Sequence, residues 1–155
     1  DKAIGMILGL AIGDALGAPL EFKEANPPNN LLTKYTTGGA HNVSIGEWTD
    51  DTSMALAMAK SLIEKKTFDA DDIMQKFCNW HEQGEYSTRG RCFDIGGTVG
   101  VALRSYSSTI NNSDNSGFFS WQSASLPGRE VFSKPVFLLV NSLAFLAASL
   151  AEAAS

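Results

Sequence analysis

Three short stretches place carboxylates where chemistry could use them. In Trp48-Thr49-Asp50-Asp51-Thr52, two adjacent carboxylates and flanking hydroxyls stand where a long loop enters a helix. Hard cations such as Mg²⁺ take oxygen ligands, usually carboxylates, and complete an octahedron with water. Short Asp and Thr side chains at a helix start can supply several such oxygens. The same residues are also preferred helix caps and first-turn residues, so local chemistry leaves both readings open. Glu21 follows directly on an apolar helix and precedes a long loop. A carboxylate anchored there and facing a loop-walled cleft is a candidate general acid or base; a solvated loop glutamate is the plain alternative. In Gly90-Arg91-Cys92-Phe93-Asp94-Ile95-Gly96-Gly97-Thr98, a carboxylate stands at a glycine-rich helix start. Asp94 can hold a polar group of a substrate there, with the Gly96 and Gly97 amides open to an anion, or it can cap the helix. Asp14 lies inside the apolar helix, must find hydrogen-bond partners, and is read as structural.

The elements that must position these groups are helices. Ala3 to Leu16 reads as a helix apolar on nearly every side, as at the centre of a bundle. Gly5, Gly9, Gly13 and Gly17 stack on one face, which predicts close approach of another helix. Pro19 to Trp48, rich in Pro, Asn, Thr and Gly, reads as a long irregular loop. Thr52 to Lys65 returns to helix, with Met54, Leu56, Met58, Leu62 and Ile63 as core candidates. Asp69 caps a third helix, with Asp72 completing a box-like start and Ile73, Phe77 and Trp80 as its apolar stripe. Gly84 to Cys92 is a polar loop, and Asp94 is placed to cap a fourth helix through Val99, Leu103 and Tyr106. No stretch alternates as a strand does, so the class is all-α. A chain of 155 residues fits one domain, 1–155.

These blocks resemble, in order and spacing, the ADP-ribosylglycohydrolase family, which includes the dinitrogenase-reductase-activating glycohydrolase and the ADP-ribosyl-arginine hydrolases. The likeness is carried by GMILGLAIGDALGAPLEF, WTDDTSMALAMAKSL and GRCFDIGGTVGVALRSY, from Ile4 to about Tyr106. It implies a compact all-α bundle whose cleft holds two Mg²⁺ or Mn²⁺ ions. It implies metal ligation by Thr49, Asp50 and Asp51, an acid/base role for Glu21, and substrate contact by Asp94. Many relatives carry Asn where this chain has Gly97. The implied reaction is metal-dependent hydrolysis of the bond between ADP-ribose and a protein side chain, with arginine foremost, or a related small ADP-ribosyl adduct. The implied partner is an ADP-ribosylated protein or an ADP-ribose-containing small molecule.

The family's second metal cluster, an Asp-x-Asp-Thr motif, is not found in this sequence, nor is its central Gly-Asn-Gly and Met-Arg block. Residues 1–107 therefore read as family-like, and 108–155 as a divergent tail ending in an apolar helix. The sequence is read either as a truncated or frame-altered product whose tail is unrelated to the family's second half, or as a shortened relative that completes the site by another route such as dimerisation. The alternative function is a non-catalytic ADP-ribose-binding or structural relative. A net charge of -5 and a pI near 4.9 argue against a phosphate-backbone binder, so no nucleic-acid partner is expected. The apolar run Val136 to Ala151 is shorter than the ~20 residues that span a bilayer and reads as a buried helix. Cys78 and Cys92 form no disulfide framework or thiolate metal site. With a start that makes a poor signal peptide, a cytoplasmic location is expected.

Overall fold

The structure is a computed structural model that describes residues 2–24, 29 and 32–112. It is all-α: helix α1 (Lys2–Gly17), a 3₁₀ turn (Ala18–Leu20), then α2 (Asp50–Lys65), α3 (Ala70–Gln83) and α4 (Gly97–Asn112). Among the described residues the only β feature is an isolated antiparallel bridge between Gly38 and Val43. The apolar run at 136–151 lies outside the described residues.

The core sits between α2, α3 and α4. Met54, Ala57 and Met58 of α2 meet Ile73, Met74, Phe77, Cys78 and Trp80 of α3, with Leu103 of α4 closing the cluster. Leu62, Val99 and Tyr106 pack on its edge. Ile63, expected in the core, is 72% exposed. Five residues beyond Met58, it falls about 140° around the helix, away from the buried stripe. Helix α3 opens as expected, with the Asp69 carboxylate accepting the Asp72 amide at 3.0 Å. The reciprocal half of the box is replaced by ion pairs of Asp72 with Lys65 and Lys76. Gly84 ends α3 in a left-handed turn that only glycine fits, because an added Cβ would overlap the Gly90–Arg91 backbone.

Helix α1 departs from the expectation of a buried central helix. It packs on α2, yet only Ala15 is buried, and Ile4, Leu8 and Ile12 are each more than half exposed. Among the described residues the glycine stripe meets no helix: an added Cβ at Gly5, Gly9, Gly13 or Gly17 has none of their atoms within 4 Å. Lys2–Leu20 is the one stretch among the described residues long and apolar enough to cross a membrane. Its Asp14, however, is bound into the start of α2, as described next.

Candidate active site

Asp14 does the work that the sequence left open between capping and chemistry. Its carboxylate accepts from the Thr49 amide (3.0 and 3.1 Å) and hydroxyl (2.8 Å), and from the Thr52 amide (3.1 Å) and hydroxyl (2.6 Å). The amides at Thr49 and Thr52 belong to the start of α2, where backbone donors have no partner inside the helix. Thr49 is the N-cap residue, but its own side chain makes no capping bond. The cap is supplied from α1 instead, by a residue 35 positions away in sequence. Asp14 is therefore structural, as read.

This arrangement frees Asp50 and Asp51. The Asp50 carboxylate accepts a long bond from the Gly96 amide, 3.3 Å, and no described donor is bonded to that of Asp51. Both face a cleft of about 590 Å³. Gly9, Gly13 and Gly17 form part of its lining, so among the described residues the glycine stripe opens onto a cleft. The acidic lining is Asp14, Glu21, Asp50, Asp51 and Asp94, and no Lys or Arg joins them among the described residues.

The crowding of like charge shows in the titration of these groups. Asp50 is pushed up to about 6, first by loss of hydration and then by Asp94 and Asp51. Asp51 is raised by partial loss of hydration and by Asp14. Asp94 is also pushed up to about 6, by loss of hydration and then by Glu21, with His41 opposing. Carboxylates concentrated in this way favour a cation among them.

Glu21 leaves the turn after α1 and meets Asp94 through His41. The imidazole Nε2 lies 3.4 Å from Glu21 Oε2 and 3.0 Å from Asp94 Oδ1. These three side chains bring donor atoms within 4.8 Å of one another and form a second group able to hold a cation. Asp94 does not cap α4, the alternative considered for it. Gly96 O accepts the first helical bond, from the Gly100 amide, and Asp94 adopts a left-handed backbone (φ 53°). That conformation is uncommon outside glycine, although Asp tolerates it better than most residues. Gly96 and Gly97 lie outside the cleft lining, with the Gly96 amide turned to Asp50. The structure thus brings together Thr49, Asp50, Asp51, Glu21 and Asp94, and leaves Gly96 and Gly97 beside them. Sequence reasoning passed over His41. Its signal was slight: one of two histidines in the chain, in a Gly/Asn-containing loop before the acidic pair.

The family model for ADP-ribosylglycohydrolase matches residues 1–153. The chain belongs to the ADP-ribosylglycohydrolase family. Among its ADP-ribosylglycohydrolase relatives, the chain is 47% identical over 107 residues to the ADP-ribosylarginine hydrolase Tri1 of Serratia proteamaculans, covering 68% of this chain and 28% of that one. It is 42% identical over 108 residues to Tri1 of Pseudomonas putida, with the same coverage. It is 39% identical over 109 residues to the ADP-ribosyl-[dinitrogen reductase] glycohydrolase of Rhodospirillum rubrum, covering 68% of this chain and 35% of that protein. The chain thus spans about a third or less of the length of these relatives.

Proposed function

We propose that this chain supplies the acidic part of a divalent-metal-dependent site that hydrolyses the bond between ADP-ribose and an arginine side chain of a protein. One observation carries the reading: Asp14 takes over the capping of α2, so Asp50 and Asp51 face a cleft with their carboxylates largely unspent. The relatives named for arginine and dinitrogen-reductase adducts support the reaction class.

The donors fit a hard cation. Thr49, Asp50 and Asp51 offer only oxygen, the ligand type that Mg²⁺ and Mn²⁺ take. A bound ion there would polarise sugar hydroxyls and lower the pKa of a nearby water. The chain's own residues supply the rest. Glu21 takes a proton from a water as the water oxygen attacks the anomeric carbon. The C–N bond to the guanidine breaks as that bond forms, and the proton passes to the leaving nitrogen. Asp94 holds the substrate beside it. An ADP-ribosylated arginine keeps a positive guanidinium, which suits a cleft lined by carboxylates and, among the described residues, by no Lys or Arg. A serine or acidic linkage brings no such charge. The free thiols Cys78 and Cys92 fit a reducing, cytoplasmic setting.

The test is release of ADP-ribose from an ADP-ribosyl-arginine protein by the purified chain with Mg²⁺ or Mn²⁺. Release that depends on the metal and is lost in Asp50→Ala is expected. No release at high protein concentration, with metal and ADP-ribose both failing to bind, removes the reading. ADP-ribose binding without turnover favours a non-catalytic binder.

A further inference from the structure

We propose that His41 is a positioning residue, holding the Glu21 and Asp94 carboxylates together at one edge of the cleft, and that Arg89 sets its place through the loop backbone. The inference rests on the proposed sugar-binding role of that cleft. Glu21 and Asp94 approach from opposite ends of the described chain, and like charges at such range push apart. The side chain that touches both is the His41 imidazole. Its Nε2 is sealed from solvent and sits between the two oxygens without the alignment of a full hydrogen bond to either.

The loop that carries the ring is fixed at several points. Gly38 and Val43 exchange backbone bonds of 2.8 Å in both directions. Arg89 donates from Nη1 to the His41 carbonyl (3.1 Å) and from Nη2 to the Asn42 carbonyl (3.0 Å). It also binds Glu47 Oε2 through Nε at 3.1 Å and Nη2 at 2.7 Å. The same guanidinium lies 4.0 Å over the Phe93 ring, one residue before Asp94. The His41 ring lies 6.3 Å from that of Phe22, one residue after Glu21. Each carboxylate is thus flanked by an aromatic ring in contact with this assembly. A planar, five-donor guanidinium can span carbonyls and a carboxylate at once, which a lysine cannot.

The test uses the full chain labelled with ¹⁵N. Its two histidines, His41 and His81, give separable ring-nitrogen signals in long-range ¹H–¹⁵N spectra, and His81→Gln assigns them. Glu21→Gln, Asp94→Asn and Arg89→Lys are each expected to move the His41 ring signals and leave those of His81 in place. Unchanged His41 signals in both carboxylate variants overturn the proposal. In calorimetric titration with ADP-ribose and Mg²⁺, His41→Ala is expected to weaken binding about tenfold, roughly the loss of one well-placed contact. His41→Gln, whose amide reaches the Nε2 position, should recover most of it. Wild-type affinity in a folded His41→Ala variant also overturns the proposal. If the wild type binds no ADP-ribose, the proposed function fails, while the ring-nitrogen spectra still decide the role of His41.

Discussion

Replacing Asp14 should unfold the protein more readily than replacing either acidic residue at the start of α2. The Asp14 carboxylate is the acceptor for four donors, two amides and two hydroxyls. The residues that supply them are buried, Thr49 at 6% and Thr52 at 1% exposure, so water cannot readily replace the lost acceptor. A buried donor left without a partner costs about 1–3 kcal/mol. Asp14→Ala strands the two amides, while the hydroxyls rotate toward what remains, so a loss of about 4 kcal/mol is expected. Asp14→Asn keeps one carbonyl oxygen but turns an NH₂ toward donors, so about 2 kcal/mol is expected. At roughly 4 °C per kcal/mol for a domain near this size, the melting temperature should fall by about 16 °C and 8 °C. The assay is urea and thermal unfolding followed by far-ultraviolet circular dichroism. Mn²⁺ titration of the folded fraction should also show weaker binding, because Asp50 and Asp51 would be drawn toward the orphaned amides. An Asp14→Asn protein that melts within about 2 °C of the wild type and binds Mn²⁺ equally well would refute the division of labour between Asp14 and the acidic pair.

Four further outcomes follow from the geometry. Asp50 and Asp94 are pushed up to about 6, so the metal-free fold binds more protons than the unfolded chain from the ordinary carboxylate range up to that pH. Their effect on stability is therefore a rise as pH falls from 7 toward 5, and Asp50→Asn should flatten it in pH-dependent melts. Mn²⁺ binding needs the deprotonated ligands and should weaken over the same window by up to about tenfold per pH unit, measured by titration at pH 5.5 and 7.5. Gly39→Ala should destabilise by about 2 kcal/mol in urea unfolding, since φ is +74° and the new Cβ would lie 2.7 Å from the Pro19 backbone; an unchanged midpoint would show that this loop yields easily. Gly13→Leu meets nothing within 4 Å at its Cβ and should keep or raise the melting temperature, by up to about 1 kcal/mol in helix propensity. It should also block the cleft, so retained ADP-ribose binding in calorimetry would place the ligand elsewhere.

Much of this was legible in the sequence because it is local. The caps and apolar spacing of α2 and α3 marked their ends and most of their buried stripes, and Trp48 to Thr52 marked the acidic pair. Asp14 was legible as a buried carboxylate needing partners, but not which partners, since Thr49 and Thr52 lie 35 and 38 residues away. The same distance hid the answer to whether Asp50 and Asp51 cap the helix: that depended on whether another element did it first. The glycine stripe was read as a helix contact because spacing reports a shared face and not what the face meets. His41 had no local pattern at all. Its significance comes from Arg89, 48 residues away, which holds the loop backbone.

The bond between α1 and α2 also determines which walls of the cavity can shift. Because one carboxylate of the first helix clamps both the backbone and the hydroxyls at the mouth of the second, floor and acidic wall must travel as one piece. Loosening Arg89 would release only the loop that carries His41 and Asn42, whereas loosening Asp14 would dismantle the frame itself.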